Sequence, residues 1–210
     1  MTSAASGLRD AGPLNAAQTT LAAELDEAAA RLNRLVRNLL DLSRLEAGHL
    51  RPQPDWHDVR DLIHATVQNL GRAQAGHPLE IHVAPGLPLA RFDFTLTEQI
   101  LANLLANAAL HTPSGTAVEI HARAESGELI LEVADRGPGL PAENIARLFE
   151  RFQRGADATP GGTGLGLSLV KGFAEAQGGT VAAANRAGGG ALFTVRLPLA
   201  TMPPVPPEKE

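Results

Sequence analysis

The sequence predicts an α+β sandwich in which helices cover one face of a mixed, mostly antiparallel sheet. The strands are predicted to pair as hairpins, with the helices grouped between them. This order differs from the regular strand–helix alternation of a parallel α/β fold. The triplet Glu125-Ser126-Gly127 separates two alternating segments and is typical of a hairpin turn. Strands are predicted over six segments: Leu79–Ala84, Leu89–Phe92, Val118–Ala124, Glu128–Ala134, Val181–Ala184 and Ala191–Leu197.

The longest predicted helix covers residues 15–47 and carries an apolar seam with 4-3 spacing. Such a seam faces a partner helix, and Val36 and Leu40 widen it, which favours a helical bundle over a two-stranded coil. The alternative is that this helix packs on its own domain. Gly48 is the expected stop at its C-terminus. The seam comprises Leu21, Leu25, Ala28, Leu32, Leu35, Leu39 and Leu42.

Shorter elements follow this helix. Residues 49–57 hold two prolines and are predicted to form an extended linker. A helix over residues 94–110 is expected to be capped by Asp93. Three further helices are predicted near residues 58–74, 143–149 and 164–177.

Composition excludes several classes of function. The net charge of −5 and the aromatic content of 3% argue against a nucleic-acid partner, which needs a basic surface or stacking platforms. The absence of cysteine excludes disulfides and thiolate metal sites. No apolar run approaches the roughly 18 residues of a membrane span, and the start of the chain lacks the apolar core of a signal peptide, so a soluble, cytoplasmic chain is expected.

Two asparagines lie four residues apart on one predicted helix. Asn103 and Asn107 therefore project from the same face, while the opposite face is apolar. Amide oxygens are suitable ligands for Mg²⁺, which prefers oxygen donors. A cap or a solvent-facing pair is the simpler alternative for such a pair in isolation.

A carboxylate and two glycine-rich stretches complete the candidate site. Asp135 ends a predicted strand, where its carboxylate can accept a hydrogen bond from an exocyclic amine such as adenine N6; Gly137 and Gly139 allow the backbone close to a flat ligand. A simple Asp-Gly turn is the alternative. The loop Gly161–Gly166 opens a helix, whose N–H groups favour phosphate, although a lone glycine loop is usually a linker. It fits neither the P-loop nor the dinucleotide fingerprint.

The aperiodic residues 150–163 are a candidate lid over this site. Arg151 and Arg154 are its nearest cations, and either is able to meet a terminal phosphate. Phe149 and Phe152 are expected to anchor the lid in the core rather than to stack on a base.

Four of these stretches together resemble the N, G1, F and G2 boxes of sensor histidine kinases, in order and spacing. They are NLLANA, DRGPGLP, LFERFQRG and GGTGLGLSLVKGFAEAQGG. RLNRLVRNLLDLSRLEAG is similar to the second helix of that family's dimerisation and phosphotransfer hairpin. The ending NRAGGGALFTVRLPL resembles most the sensors that control potassium-transport operons. The resemblance covers about residues 15–199.

The resemblance implies a Bergerat-type sandwich that binds ATP with Mg²⁺. By position, Asn107 is the implied metal ligand, Asn103 its catalytic helper, and Arg154 a catalytic contact to phosphate. Asp135 is the implied reader of adenine, beside Gly137 and Gly139. The implied phosphate loop consists of Gly162, Thr163, Gly164, Leu165, Gly166 and Leu167.

The chain departs from the family pattern in two places. A Lys-Tyr pair that often follows the asparagine helix is replaced by Leu110 and His111, and a neutral His111 remains able to donate a hydrogen bond to phosphate. None of the seven histidines has the context H-[ED]-x-x-[TN]-P of the family's phosphoacceptor. The resemblance therefore implies a C-terminal fragment that lacks its own acceptor and does not phosphorylate itself.

The implied organisation has four parts: residues 1–14 as a disordered segment or hairpin turn, 15–48 as the second hairpin helix, 49–199 as the ATP-binding catalytic domain, and 200–210 as a disordered tail. The implied function is transfer of the ATP γ-phosphoryl group to a histidine and thence to a response-regulator aspartate. The implied parent protein is a homodimer that is held in the inner membrane by its absent N-terminal part.

Two other functions stay open from the sequence. One is a hydrolytic ATPase of the same superfamily, resembling gyrase, Hsp90 or MutL. Those enzymes carry a glutamate that activates water one helical turn before the magnesium asparagine. Asn103 occupies that position here, and an amide cannot act as a general base, which favours phosphotransfer. The other is an ATP-binding regulatory module without turnover.

Overall fold

The computed structural model describes residues 15–70, 76–141, 145, 147–151 and 164–200. The helices in these ranges are α1 (Ala16–Glu46), α2 (Val59–Leu70), α3 (Phe94–His111) and α4 (Gly166–Ala176). The strands are β1 (Asp55–His57), β2 (Leu79–Val83), β3 (Ala90–Phe92), β4 (Val118–Glu125), β5 (Glu128–Ala134), β6 (Thr180–Asn185) and β7 (Ala191–Pro198).

Five strands form one mixed sheet in the order β2-β4-β5-β7-β6. Only β2 and β4 run parallel; the other neighbouring pairs in this sheet are antiparallel. Ser126 and Gly127 join β4 to β5 with φ angles of 53° and 79°. Two positive φ angles in a two-residue loop define a type I′ turn, which matches the natural twist of a hairpin. The predicted α+β sandwich and its hairpin are confirmed.

The core lies between one face of this sheet and the helices. Alternate residues of β4, β5 and β7 point into it because successive side chains of a strand leave on opposite faces. The other face of the sheet is polar and carries Glu119, His121 and Arg123 of β4. The largest completely buried side chains include Ile120, Leu129, Phe193, Ile100, Leu104, Phe173 and Leu62.

Helix α3 is fixed at its first turn by Asp93, as the sequence predicts. Its Oδ1 accepts a hydrogen bond from the Leu96 N–H at 3.0 Å, and its Oδ2 accepts one from the Gln53 N–H at 2.7 Å. Its own N–H donates to Gln177 Oε1 at 2.8 Å. One residue thus joins α3, the segment before β1 and the end of α4, which sets the position of α3 in the fold.

The segment predicted as an extended linker contains strand β1. Trp56 of β1 pairs with Arg91 of β3 in a separate two-stranded antiparallel sheet. The sequence pattern misses this strand because three residues beside prolines show no periodicity, and the pairing is made with a segment more than thirty residues away. The prolines precede the strand, where a missing N–H costs no ladder bond.

The last turns of helix α1 lie against the domain. Leu42 is buried, and Leu45 packs over Gly172 of α4, where an added Cβ would lie 2.6 Å from Leu45 Cδ1. Glu46 forms an ion pair with Arg151. Gly48 ends the helix with a φ of 64°, as predicted. Most of the predicted seam is exposed: Leu21, Leu25, Leu32, Val36, Leu39 and Leu40.

Several predicted segments lie outside the described residues. These are residues 1–14, most of the candidate lid, the end of the helix predicted over residues 58–74, and residues 201–210. Of the helix predicted over residues 143–149, the described part shows short turns, in which the Glu150 N–H donates to the Arg147 carbonyl at 2.9 Å. Within the described ranges, none of the helices is both long and apolar enough to traverse a bilayer.

We expect Asp93→Ala to lower the free energy of unfolding by about 1–2 kcal/mol, because it removes the acceptor for the first turn of α3. Asp93→Ser is the matched control, since a serine hydroxyl accepts at an N-cap but cannot also reach Gln53. Urea unfolding of both variants measures the difference. Equal losses for Ala and Ser would show that the cap contributes nothing.

Candidate functional site

The candidate site centres on Asp135, which directly follows β5. Its side chain is buried, and Oδ1 accepts hydrogen bonds from the Gly137 N–H at 2.8 Å and the Ala191 N–H at 3.1 Å. Its own N–H donates to the Ala191 carbonyl at 2.9 Å. None of the described residues donates to Oδ2. The carboxylate is therefore held by one oxygen and keeps the other for a donor.

Two glycines make the close approach around Asp135 possible. Gly190 has a φ of 94°, and a Cβ at this position would lie 2.0 Å from the Asp135 carbonyl oxygen. Gly139 has a φ of 81°, and its Cβ would lie 2.8 Å from Asn185 Oδ1. Both conformations are costly for any residue with a side chain. The turn before β7 and the loop after β5 thus lie directly on each other.

The amide of Asn185 fixes the loop that follows Asp135. Its Oδ1 accepts from the Leu140 N–H at 2.6 Å, and its Nδ2 donates to the Leu140 carbonyl at 2.8 Å. Asn185 is the last residue of β6, at the edge of the sheet. A side chain on an edge strand therefore determines where the backbone runs beyond Gly139.

The two predicted asparagines lie on α3 beside this loop. Asn103 Nδ2 donates to the Gln99 carbonyl at 2.8 Å, and its Oδ1 lies 3.1 Å from the position of an added Cβ on Gly166. Asn107 is half-buried, and no hydrogen-bond partner for its amide exists among the described residues. The neighbours on the opposite face of α3, Ile100, Leu101, Leu104 and Leu105, are completely buried.

The end of α3 meets the loop after Asp135. The carbonyl oxygen of His111 lies 2.8 Å from where a Cβ on Gly137 would be, and the imidazole of His111 is exposed. Asn103 contacts α4 and His111 contacts the Asp135 loop. The middle of α3 therefore lies against the start of α4, and its end lies against the loop after Asp135.

Helix α4 presents its first turn to Asn103. Gly164 has a φ of 69°, Leu165 is buried, and among the described residues no side-chain cap hydrogen bond is made to the first N–H groups of the helix. Uncapped N–H groups at a helix start favour an anion. Leu167 is half-buried at the same turn. The predicted residues Gly162, Thr163 and Arg154 lie outside the described residues.

A charged cluster lies behind Asp135 on the polar face of the sheet. The nearly buried carboxylate of Glu119 accepts from Arg186 through Nη1 and Nη2 at 3.1 Å, and from Arg136 Nη2 at 3.1 Å. His121 Nε2 lies 3.2 Å from Glu119 Oε2. Burial raises the pKa of the Glu119 carboxyl, but hydrogen bonds from these three side chains and the charge of Arg186 outweigh it and lower the pKa from 4.5 to about 2.

Sequence reasoning missed the residues that support Asp135 from other strands. These are Glu119, Asn185, Arg186 and Gly190, together with the N–H of Ala191. A run of three glycines at Gly188–Gly190 is the one local signal, and it predicts only a turn. The remaining contacts depend on strand pairing, which a local pattern does not specify.

Thr112 is a further missed residue. It follows His111, and its Oγ1 is the one buried side-chain oxygen or nitrogen without a partner among the residues described. A buried hydroxyl without a partner is costly and is normally satisfied by water or a ligand. Its place at the end of α3 fits a site that is completed by a bound molecule.

A separate cavity of about 280 Å³ lies at the other end of α4. It is lined by residues near β1 and β3, such as Pro54 and Phe92, and by Gln177 after α4. The eleven residues of α4 place it about 16 Å from the helix start. This cavity is therefore distinct from the site at Asp135.

Comparison with protein families identifies one match. Residues 93–201 match the family described as histidine kinase-, DNA gyrase B- and HSP90-like ATPases. The match includes Asp135, both asparagines of α3 and all of α4. It therefore spans every element that builds the candidate site.

Two curated relatives align over most of this chain. It is 35% identical over 184 residues to sensor protein KdpD of Escherichia coli (strain K12), which covers 87% of this chain and 20% of that protein. It is 35% identical over 206 residues to histidine protein kinase DivJ of Caulobacter vibrioides, which covers 93% of this chain and 34% of that one. The chain thus spans about a fifth of the length of the first relative and a third of the second.

Solved structures resemble nearly the whole chain. Full-length ShkA in complex with AMPPNP matches with a TM-score of 0.75 at 30% identity. The match covers 92% of this chain and 41% of that one. The arrangement of the sheet and helices is therefore shared with a protein that was crystallised with AMPPNP.

We expect Glu119 to stabilise the fold in a pH-dependent way. Because its folded pKa of about 2 lies below its ordinary value of 4.5, its contribution is complete above pH 4.5 and is lost as the pH falls towards 2. The difference in the free energy of unfolding between the parent and Glu119→Gln should therefore shrink over this range. Urea unfolding at pH 7, 5, 4 and 3 measures it.

The control for this titration is Glu128→Gln, which removes a half-exposed carboxylate paired with Arg196 on the same face of the sheet. Its difference from the parent should change less with pH, because exposed pairs contribute little. A constant difference for Glu119→Gln from pH 7 to 3 would contradict the expectation.

Proposed function

The chain belongs to the family of histidine kinase-, DNA gyrase B- and HSP90-like ATPases, and we propose that it transfers the γ-phosphoryl group of ATP to a histidine. It is an ATP-binding catalytic region of the histidine kinase type. The family resemblance read from the sequence is confirmed, and KdpD proteins are among the relatives. The acceptor histidine, a homodimeric membrane-bound parent and a response regulator as the final phosphate acceptor are parts of this proposal.

The geometry of Asp135 carries the proposal. Its Oδ1 is engaged by two backbone N–H groups, so the orientation of the carboxylate is fixed before a ligand binds. An ionised carboxylate is an acceptor only, and adenine offers an exocyclic amine that donates. Oδ2 is the atom proposed to accept from adenine N6. Gly137 and Gly139 allow the loop after Asp135 to pack closely against His111 and Asn185, beside the proposed position of the base.

The triphosphate is proposed to lie between α3 and the start of α4. Within the described ranges the first N–H groups of α4 have no side-chain cap, and in the sequence Gly162, Thr163, Gly164 and Leu165 precede them. Leu167 supports this turn from its half-buried position. Arg154 and the exposed His111 are proposed as further donors to phosphate oxygens.

Magnesium is proposed to bind through the amide oxygen of Asn107. This amide has no partner among the described residues, and it projects from the same face as Asn103. Magnesium readily combines one protein oxygen with phosphates and water, and it neutralises charge on the phosphates when bound. Asn103 supports the site by contacting Gly166 with its Oδ1 while its Nδ2 is held by the Gln99 carbonyl.

Phosphotransfer is favoured over ATP hydrolysis by the side chain of Asn103. An amide cannot take a proton from water, and no carboxylate occupies this position on α3. Phosphoryl transfer depends mainly on positioning and charge neutralisation, which the described residues are arranged to supply. The alternative function, an ATP-binding regulatory module without turnover, would use the same ATP site and differ from a kinase only in having no acceptor histidine within reach.

We expect Asp135→Asn to weaken ATP binding at least about tenfold, because a hydrogen bond to a charged group contributes roughly 1.5–3 kcal/mol. The asparagine keeps an oxygen for the Gly137 and Ala191 N–H groups but replaces the second acceptor by a donor. Calorimetry with a non-hydrolysable ATP analogue measures the affinity. If the variant binds as tightly as the parent, the adenine assignment is wrong.

We expect Asn107→Ala to remove most of the effect of Mg²⁺ on ATP affinity. Loss of a direct metal ligand should cost about tenfold or more in metal affinity. Titrations with and without EDTA give the ratio for each variant. The control is Asn69→Ala on α2, whose exposed amide donates only to Glu98. An unchanged ratio in Asn107→Ala would exclude its ligand role.

Phosphotransfer is tested with γ-labelled ATP. Because no histidine of this chain lies in the acceptor context, incubation of the chain alone should leave no acid-labile label on it. Adding a complete sensor whose own ATP site is inactivated should place label on that sensor's histidine. Labelling of the isolated chain would show that one of its own histidines is the acceptor, and release of free phosphate instead would favour the ATPase.

A further inference from the structure

We infer that Glu119 and Arg186 are positioning residues that orient Asp135 and thereby set the preference for a purine with a 6-amino group. This inference rests on the proposed contact between Asp135 and adenine. Neither residue lies in a sequence motif of the site. Both act from the polar face of the sheet, through the backbone on either side of the carboxylate.

Arg186 joins Glu119 to the backbone of Asp135. Its Nη1 donates to Glu119 Oε1 at 3.1 Å and to the Asp135 carbonyl at 3.3 Å, while Nη2 lies 3.1 Å from each carboxylate oxygen of Glu119. The arginine side chain is 24% exposed and that of Glu119 is 9% exposed. A largely buried, doubly bonded guanidinium is held in one geometry, so its donation to Asp135 has a fixed direction.

The register of the sheet places Glu119 beside the end of β5. Glu119 pairs with Ala134, the residue before Asp135, so its carboxylate lies behind the end of β5. Arg186 begins the turn that leads into β7. Its N–H donates to the Gly190 carbonyl at 3.0 Å, which closes this turn. The strand that ends at Asp135 and the turn that covers it thus share one anchor.

A second route reaches the carboxylate through this turn. Gly190 lies against the Asp135 carbonyl, and the next residue, Ala191, donates its N–H to Asp135 Oδ1 at 3.1 Å. If Arg186 is released from Glu119, the turn keeps its backbone hydrogen bonds but loses its side-chain anchor, and the hydrogen bond from the Ala191 N–H to Asp135 Oδ1 weakens. The carboxylate is then held less firmly by one of its two backbone donors and rotates more freely about its side-chain torsions.

Such a rotation affects ligands selectively. A 6-amino purine donates to Oδ2 and depends on the direction of that oxygen, whereas a 6-oxo purine presents an acceptor and gains nothing from it. The residues proposed to contact phosphate and magnesium are not members of the cluster. Displacement of Arg186 should therefore weaken binding of adenosine triphosphate and leave that of inosine triphosphate nearly unchanged.

The experiment compares the affinities of ATP and ITP, each with magnesium, for the parent and four variants: Arg186→Met, Glu119→Gln, Arg123→Met and Asp135→Asn. In the parent, ATP should bind at least about tenfold more tightly than ITP. Arg186→Met, which keeps the aliphatic chain, should reduce this ratio about fivefold or more, with the Kd for ITP within about twofold of the parent's. Glu119→Gln should shift the ratio in the same direction.

Arg123→Met is the matched control. Arg123 forms a comparable pair with Glu132 on the same face, with Nη1 to Oε2 at 2.6 Å and Nη2 to Oε1 at 3.1 Å, and it does not contact Asp135. It should leave the ratio of ATP to ITP affinity unchanged. Arg186→Lys replaces Arg186→Met if the latter fails to fold, since lysine keeps the charge but cannot bind Glu119 twice.

The outcomes separate the two claims. If Asp135→Asn loses the preference for ATP while Arg186→Met keeps it, the positioning role is wrong and the adenine contact stands. An equal loss of affinity for both nucleotides in Arg186→Met would show a general structural effect and also overturn the inference. A parent that binds ATP and ITP equally would overturn the adenine contact and the inference together.

Discussion

The hydrogen bonds to Asp135 Oδ1 are the constraint on which the site depends. A buried carboxylate must be satisfied, and here its donors come from two places far apart in the sequence, Gly137 and Ala191. To supply the second donor, β7 must begin beside the end of β5, and Gly190 must lie directly on the Asp135 carbonyl. The same loop offers Gly137 to the carbonyl at the end of α3. One side chain therefore joins the end of β5 to the start of β7 and to the loop that meets α3.

The charges around Asp135 are distributed so that its own charge stays available. Two arginines lie close to it in the chain or in space, yet both donate to Glu119 instead of to the Asp135 carboxylate. An arginine paired directly with Asp135 would occupy the oxygen that a ligand amine needs. Glu119 binds the cations on the far face of the sheet, and the backbone N–H groups, which carry no net charge, hold Asp135 on the near face. The charges of the Glu119 cluster and the Asp135 carboxylate, which is proposed to bind the ligand, therefore lie on opposite faces of the sheet.

The features that the sequence predicted correctly are those that depend on neighbouring residues. The cap at Asp93, the turn at Ser126-Gly127 and the spacing of Asn103 and Asn107 are all local. The supporting residues are not, since Arg186 is 67 positions from Glu119 and 51 from Asp135. The sequence pattern of its strand predicts only that Glu119 faces outward. Its pairing with Ala134 is what places it beside Asp135. Strand β1 was missed for the same reason, because its partner β3 is distant in the chain.

Helix α1 is connected to the site at a single place. Its last turns pack through Leu42 and Leu45, whereas most of the large apolar side chains of the preceding turns are exposed to water. Leu45 approaches Gly172 so closely that any Cβ there would collide with it, and Gly172 belongs to the helix whose first turn faces Asn103. A packed contact transmits displacement because interiors have little free volume. A displacement of α1 must therefore either be accommodated at Gly172 or move α4 and the N–H groups at its start.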